Sequence, residues 1–361
     1  MSNHHRTIIT CTGCYIPEKK IPNSNFKENI FFGTDGKPID LPNSDIIDRF
    51  REITGIEERR FISKDQVTSD IAALAALNAL SGNSIEIESL DFIIVAHNFG
   101  DVTFEGRRSD IVPGIASRVK HKLGVKNPTT LPVDVLFGCP GWLQGFIQAH
   151  LYLQSGEFKK GLVIGAETLS RVSDPHDRDS MIYADGAGAI IVESVTADEK
   201  IGVLSFASRS DTMENLNLLA MGSSNNPEYN RSEIFLKMDG RKVYQYALET
   251  VPMVVKECLE KAGLGLQDVT KILIHQANGK MDEAILKRIF QLYGQPDIPD
   301  DIMPMTISWL GNSSVATIPT LLDLMVKGKL NGQKACPGDL LVFASIGAGM
   351  NINAMVYRLP Q

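Results

Sequence analysis

The same order of predicted elements occurs twice along this chain, and this repetition constrains its fold more than any other feature. In each half a helix precedes a buried strand, and a glycine-containing turn then leads into a second helix and a second apolar strand. These elements fall at residues 69–82, 90–97, 138–156 and 161–165 in the first half, and at 243–263, 269–275, 311–328 and 339–343 in the second. The order predicts an internal duplication, although α/β proteins also repeat such units without duplication.

Alternating helices and strands predict an α/β protein whose helices cover its sheets. We assign the two predicted halves to residues 1–194 and 195–361. If they pack together with approximate symmetry, their equivalent turns meet at a shared centre. Cys139 and Asn312 occupy equivalent turns, so the duplication predicts that they lie close to each other.

Composition and charge exclude several classes of protein. The net charge of −7 and the isoelectric point near 5.6 argue against a general nucleic-acid binder. No apolar stretch approaches the roughly 18–20 residues that a membrane span needs, and the first residues do not resemble a signal peptide. Five scattered cysteines do not form a disulfide framework, and the single C-x-x-C of Cys11 and Cys14 has no second pair to complete a zinc site. We expect a cytoplasmic enzyme.

Cys139 is the candidate nucleophile. It follows an apolar run at 133–137 and a glycine, and a helix is predicted to begin directly after it. The unpaired N–H groups and the positive dipole end of that helix favour the thiolate. His275 follows a second apolar strand, and Asn312 precedes a second helix. Packing, a satisfied hydrogen bond and a helix N-cap explain each residue singly, but together they favour a site that forms and consumes a thioester.

Further motifs surround these three residues in a distinctive order. They are Thr-Gly-Ile-Glu-Glu-Arg at 54–59, Gly-Cys at 138–139, Asp-Pro-His-Asp-Arg at 174–178, Tyr-Ala-Asp-Gly-Ala-Gly-Ala at 183–189, His-Gln-Ala-Asn at 275–278, Gly-Asn-Ser-Ser at 311–314 and Gly-Ala-Gly at 347–349. In this order and spacing they resemble the 3-oxoacyl-[acyl-carrier-protein] synthase III family of thiolase-fold condensing enzymes. Asn312 is the discriminating position, because elongating synthases place a histidine there and thiolases use a second Cys–His arrangement.

The resemblance implies a thiolase-like α/β fold in which two pseudo-symmetric halves form a layered α-β-α-β-α core. It also implies that an acyl thioester acylates Cys139, and that decarboxylative Claisen condensation with a malonyl- or 3-oxoacyl-type thioester then gives a 3-oxoacyl product. The backbone N–H groups of Cys139 and Ala348 would form the oxyanion hole, and His275 and Asn312 would stabilise the enolate. A homodimer without metal or organic cofactor is expected.

A carrier protein is the expected partner. Lys280 directly precedes a predicted helix at 281–293 that carries Lys287 and Arg288. Lys280 and Lys287 are seven residues apart and therefore share one helical face, and Arg288 lies beside them. These positions match the family's docking patch for acyl carrier protein, although an ordinary solvated helix face has the same pattern. Arg178 is similarly placed to meet a pantetheine or nucleotide phosphate, unless neighbouring aspartates pair with it.

Some positions depart from the family pattern. Arg49 and Ile53 stand where the family has a Trp and an Arg that sandwich the adenine of coenzyme A. Trp142, close to the nucleophile, is predicted to line or reshape the acyl pocket. Residues 28–43 and 223–232 are predicted to be long surface loops.

These departures keep other functions open. One alternative is an acyltransferase or a specialised ketosynthase for alkylresorcinol or cyclohexanedione lipids that uses the same acyl-cysteine. A non-catalytic module that binds acyl carrier protein and a cysteine hydrolase are the others. The complete Cys–His–Asn set argues against the non-catalytic module, and the duplicated architecture with its apolar, water-excluding surroundings argues against the hydrolase.

Overall fold

Two mixed β-sheets carry the repeated order of elements. The computed structural model describes residues 5–82, 85–230 and 232–361. Within these residues the strands are β1 (His5–Tyr15), β2 (Lys19–Pro22), β3 (Glu58–Phe61), β4 (Phe92–Ala96), β5 (Asp101–Val102), β6 (Ser109–Asp110), β7 (Leu131–Val135), β8 (Lys160–Thr168), β9 (Asp185–Thr196), β10 (Gly202–Ser210), β11 (Leu219–Gly222), β12 (Phe235–Met238), β13 (Lys271–Ile274), β14 (Leu340–Gly347) and β15 (Asn351–Arg358). The helices are α1 (Asn43–Thr54), α2 (Thr68–Leu80), α3 (Ile115–Lys122), α4 (Gly141–Gln154), α5 (Thr212–Asn215), α6 (Gly240–Ala262), α7 (Gly279–Leu292), α8 (Ile307–Leu310) and α9 (Thr317–Val326).

The strand orders of the two sheets show the pseudo-symmetry directly. The first sheet has the order β1-β9-β8-β4-β7, and the second has the order β10-β15-β14-β13. In both sheets the first two pairs of neighbouring strands are antiparallel, and the next pair, β8–β4 or β14–β13, is parallel. The backbone N–H of Ile272 also donates to the carbonyl of Ile302. The segment at Ile302 therefore lies beside β13 as β7 lies beside β4.

The helices and sheets stack in five layers. Helices α4 and α9 lie between the sheets and pack against both. Helices α2 and α3 cover the outer face of the first sheet, and α6 and α7 cover the outer face of the second. Ile94 of β4 faces the central layer and its neighbours Ile93 and Val95 face α2 and α3, as the two-residue period of a strand requires. The predicted layered α-β-α-β-α core is confirmed.

The predicted boundaries agree with the observed elements to within a few residues. The helix expected at 69–82 is α2, and the helix expected at 243–263 is α6, which ends at Gly263 in the left-handed conformation that favours glycine. The division proposed at 194–195 falls two residues before the end of β9 and remains a prediction. None of the helices in the described ranges combines the length and the apolarity needed to cross a bilayer.

The two long loops predicted from the sequence contact the same short segment. Asp174 accepts hydrogen bonds from the Ser224 hydroxyl and the Asn225 backbone, and the Phe32 backbone donates to the carbonyl of His176. The loops at 28–43 and 223–232 are therefore held against the Asp-Pro-His-Asp-Arg motif. Arg231, within the second loop, lies outside the described residues.

Candidate active site

Cys139 lies in a tight turn between β7 and α4. Gly138 has a φ of 64°, a left-handed conformation that glycine adopts without strain. Pro140 forms the N-cap, and α4 begins at Gly141, where a Cβ atom would lie 3.1 Å from the Cγ1 of Val315. The turn that carries the thiol therefore packs against the equivalent turn of the second half.

A second backbone segment approaches this turn closely. A Cβ atom on Gly347 would lie 2.3 Å from the backbone nitrogen of Cys139, and one on Gly138 would lie 2.6 Å from the backbone nitrogen of Ala348. Only glycines permit this approach. It sets the backbones of Cys139 and Ala348 against each other, as an oxyanion hole built from their N–H groups requires. The oxyanion hole itself remains a prediction.

Ser314 connects the nucleophile to the candidate amide. Its hydroxyl donates to the Cys139 Sγ at 3.5 Å, and its backbone N–H donates to the Asn312 Oδ1 at 2.8 Å. The backbone N–H of Asn312 donates to the Ile182 carbonyl at 3.0 Å, and the Asn312 carbonyl accepts from the Ala184 N–H at 2.8 Å. Because Oδ1 of Asn312 is already an acceptor, the Nδ2 group is left to donate to a substrate.

The same turn also positions His275. The Nδ1 atom of His275 lies 2.7 Å from the Thr317 Oγ1, which is 3.1 Å from the Ser314 carbonyl oxygen. Among the described residues the Nε2 atom has no hydrogen-bond partner, so it is available to a substrate. The Ser314–Thr317 turn thus joins the thiol, the amide and the imidazole.

Burial sets the protonation of both titratable groups. Desolvation raises the pKa of the Cys139 thiol to about 11, although the Ser314 hydroxyl opposes the shift. Burial therefore opposes the thiolate in the resting protein, and the expected contribution of the helix dipole in favour of the thiolate remains a prediction. Desolvation also lowers the pKa of His275 to about 3, so the imidazole is neutral at physiological pH.

Trp142 lies in the central layer of the fold. Its side chain is 1% exposed, and its ring centroid lies 5.6 Å from that of Phe146 and 6.0 Å from that of Phe343. The ring thus packs α4 against the second sheet. Its part in an acyl pocket remains a prediction.

The residues predicted to meet the carrier are exposed. Lys280, Lys287 and Arg288 lie on the outer surface of α7, and Arg178 is also exposed. Asp177, which the sequence offered as a partner for Arg178, instead pairs with Lys237 at 3.0 Å. Their binding role is a prediction.

Helix α1, which carries the two departures from the family pattern, lies next to α7. A Cβ atom on Gly279 would lie 3.0 Å from the carbonyl oxygen of Thr54, so the end of α1 meets the start of α7. Arg49 and Ile53 are exposed on α1. They therefore lie on an element adjacent to the cationic face.

Sequence reasoning did not single out four residues near the thiol: Ser314, Thr317, Asn98 and Glu167. The Gly-Asn-Ser-Ser motif contains the first, and the strand at 161–165 leads to Glu167, but neither pattern shows which side chains converge. In the described part of the chain, no group of three or more His, Cys, Asp and Glu side chains is arranged to hold a metal ion.

Comparison with known proteins places this geometry in a family. The sequence model described as 3-Oxoacyl-[acyl-carrier-protein (ACP)] synthase III matches residues 133–212, and the model of its C-terminal part matches residues 259–359. The chain is 33% identical over 358 residues to the beta-ketoacyl-[acyl-carrier-protein] synthase III of Cereibacter sphaeroides. This alignment covers 98% of the present chain and 99% of the relative.

Solved structures show the same similarity. The 3-oxoacyl-[acyl-carrier-protein] synthase III of Aquifex aeolicus VF5 aligns with a TM-score of 0.78 and 27% identity, over 98% of this chain and 100% of that one. The priming beta-ketosynthase of the R1128 polyketide pathway, 24% identical over 100% of this chain and 98% of that one, shares the fold with a TM-score of 0.80.

The fold defines the class, a thiolase-like α/β protein with two pseudo-symmetric halves. The chain belongs to the 3-oxoacyl-[acyl-carrier-protein] synthase III family, whose members are condensing enzymes of the acyltransferase class. The fold and the family predicted from the sequence are confirmed, and the predicted activity class is confirmed at the level of the family.

Proposed function

We propose that this chain condenses two thioesters by way of an acyl group on Cys139. The observation that carries the proposal is the Ser314–Thr317 turn, which contacts Cys139 and His275 and fixes the amide of Asn312. A nucleophile, a neutral imidazole and an amide donor around one point are what the two half-reactions require.

In the first half-reaction the Cys139 sulfur attacks the carbonyl of an acyl thioester. The carrier thiol leaves and takes the proton that Cys139 loses, so one thioester replaces another. The opposed backbones of Cys139 and Ala348 support an oxyanion hole for the tetrahedral intermediate.

In the second half-reaction a malonyl- or 3-oxoacyl-type thioester loses carbon dioxide. The Nδ2 group of Asn312 and the Nε2 side of His275 stabilise the resulting enolate through its oxygen. The carbanion then attacks the acyl-Cys139 carbonyl, forms a carbon–carbon bond and releases the Cys139 sulfur. The amide suits this step because it donates a hydrogen bond without transferring a proton to the carbanion.

The proposed partners are acyl carrier protein and a second copy of the chain. The exposed cations of α7 support docking of an acidic carrier. For the dimer, β7 lies at the edge of its sheet among the described residues. Leu136, directly after β7, is 59% exposed. Ile111 (50%) and Val112 (82%) are exposed a few residues before Ile115, whose backbone N–H donates to Asp134 of β7. An unpaired edge with exposed apolar residues favours association with a like edge. A cytoplasmic location remains a prediction.

The test separates the half-reactions. We expect wild-type protein to release carbon dioxide from a malonyl thioester and to form a 3-oxoacyl product. The Cys139→Ala variant should form no product but still decarboxylate, and His275→Ala and Asn312→Ala should lose decarboxylation. Product formation without carbon dioxide release would instead identify the acyltransferase alternative.

A further inference from the structure

A buried polar chain leads away from the Cys139 sulfur and plays no part in the half-reactions above. Strands β4 and β8 are parallel neighbours in which Ala96 pairs with Gly165. Asn98 and Glu167 each lie two residues beyond that pair, so the register places their side chains together. The Asn98 Nδ2 donates to the Glu167 Oε2 at 2.6 Å.

Asn98 also reaches the residue that contacts the nucleophile. Its Nδ2 donates to the Ser314 Oγ at 3.3 Å, and the Ser314 Oγ donates to the Cys139 Sγ at 3.5 Å. An amide nitrogen has two hydrogens, and each of them has an acceptor here. The Ser314 hydroxyl has one hydrogen, and because its oxygen accepts from Asn98, this hydrogen is left for the sulfur.

Glu167 fixes the direction of this chain. Above about pH 7, where Glu167 is ionised, its carboxylate is an acceptor only. It therefore holds the nitrogen side of the Asn98 amide towards itself and towards Ser314. Ser314 has a φ of 53°, a conformation uncommon for residues other than glycine. This backbone conformation brings the hydroxyl within hydrogen-bond distance of the Cys139 sulfur. The N–H of the same residue donates to the Asn312 Oδ1, and its carbonyl oxygen accepts from the Thr317 hydroxyl.

We propose that Ser314 is a further catalytic residue whose hydroxyl donates a hydrogen bond to the Cys139 sulfur as the thiolate forms, and that Asn98 and Glu167 are positioning residues that hold the hydroxyl in this orientation. The role deepens the proposed function, since it belongs to the acylation of Cys139. In that step the thiol proton leaves with the carrier thiol, and Ser314 keeps its own proton throughout.

Glu167 has two opposite effects on the Cys139 thiol, one through its charge and one through the orientation of the Ser314 hydroxyl, and substitutions can separate them. The charge of Glu167 raises the pKa of the Cys139 thiol, whereas the Ser314 hydrogen bond lowers it. Replacing Glu167 by Gln removes the charge and keeps an acceptor for Asn98, so the thiol becomes more reactive. Replacing Glu167 by Leu removes the acceptor as well, so the hydroxyl loses its orientation and the gain is reduced.

The experiment measures alkylation of Cys139 by iodoacetamide from pH 6 to pH 11, which needs no substrate. Cys336 is exposed, so every variant carries Cys336→Ser, and modification is located by peptide mapping. Because the pKa of the Cys139 thiol is already about 11, the variants are compared by their alkylation rates below that pH. Ser314→Ala should slow alkylation about tenfold at pH 8, since loss of the hydrogen bond raises the pKa further. Asn98→Leu should slow alkylation by a smaller factor. Glu167→Gln should alkylate faster than Glu167→Leu.

Ser313→Ala is the matched control, because its hydroxyl has no hydrogen bond among the described residues. It should stay within about twofold of wild type. If Ser314→Ala does not fold, the alkylation profile of Asn98→Leu tests the proposal in its place.

Alkylation profiles of Ser314→Ala and Asn98→Leu that coincide with wild type would overturn the proposal. An equal shift in Ser313→Ala would do the same, since it would show a general disturbance of the turn. Failure of the condensation reaction itself leaves these profiles interpretable, because alkylation involves no thioester.

Discussion

We predict that Thr317 controls which nitrogen of His275 carries the proton, and that it donates to Nδ1 during decarboxylation. The Thr317 hydroxyl has one hydrogen and two neighbours, the His275 Nδ1 at 2.7 Å and the Ser314 carbonyl oxygen at 3.1 Å. When Thr317 donates to Nδ1, the neutral imidazole must carry its proton on Nε2, which can then donate to the oxygen of the enolate. When Thr317 donates to the carbonyl, the proton lies on Nδ1, and Nε2 has no hydrogen to donate.

Thr317→Val keeps the shape of the side chain and removes this control. A buried polar atom left without its partner costs about 1–3 kcal/mol, which corresponds to a roughly 5- to 150-fold lower rate if the lost bond fixes the reactive tautomer. The pKa of His275 is lowered to about 3, so protonation of the ring cannot supply the missing hydrogen at neutral pH. We therefore expect decarboxylation to slow within that range.

The assay is carbon dioxide release from a malonyl thioester in a Cys139→Ala background, with acylation of otherwise wild-type Cys139 measured separately. Acylation should change by less than about twofold, because Thr317 does not contact the sulfur. Thr317→Ser should restore decarboxylation. The control Thr320→Val removes a buried hydroxyl from the same helix, whose bond to the Ala187 carbonyl is 3.4 Å long. Undiminished decarboxylation by Thr317→Val would refute the reasoning, as would an equal loss in Thr320→Val.

Three further predictions concern stability, docking and assembly. Burial raises the pKa of Glu167 to about 7, so its contribution to stability is fully present below about pH 4.5 and is lost as the pH rises through 7. Glu167→Gln should therefore be more stable than wild type at pH 8, by up to about 3 kcal/mol in denaturant titrations, with no difference near pH 4; a difference that does not vary with pH would contradict this. Reversing Lys280, Lys287 and Arg288 to Glu should raise the KM for carrier-bound thioesters roughly tenfold and leave coenzyme A thioesters unaffected; Lys200→Glu, an exposed control without an ion pair among the described residues, should match wild type. Val112→Asp with Leu136→Asp should give a monomer by light scattering, and an unchanged dimer would place the interface elsewhere.

The architecture was predictable because it depends on the order of elements. Buried strands, helices and glycine turns recur in the same sequence in both halves, and the strand orders of the two sheets reproduce that repetition. The proximity of the turns that carry Cys139 and Asn312 follows from the same symmetry. Both features follow from local patterns of strands, helices and glycine turns, together with the assumption that the two halves pack symmetrically.

The side-chain network was not predictable in the same way. Asn98, Glu167 and Ser314 lie on three separate segments, and their contact depends on the register of β4 with β8 and on the positive φ of Ser314. The effect of burial on the pKa of Cys139 was not predictable, because the start of a helix can be inferred from a sequence whereas the extent of burial cannot. The ring of Trp142 lies in the central layer, a placement that its position next to the thiol does not reveal, and its part in an acyl pocket remains a prediction.

The most direct measurement of the central claim is the intact mass of the protein after incubation with acyl-coenzyme A and acyl-carrier thioesters, with Cys139→Ala as the control. We expect a mass increase equal to one acyl group, present in wild type, absent in Cys139→Ala and removed when a malonyl thioester is added. No mass increase with any thioester, or an equal increase in Cys139→Ala, would contradict an acyl-Cys139 intermediate.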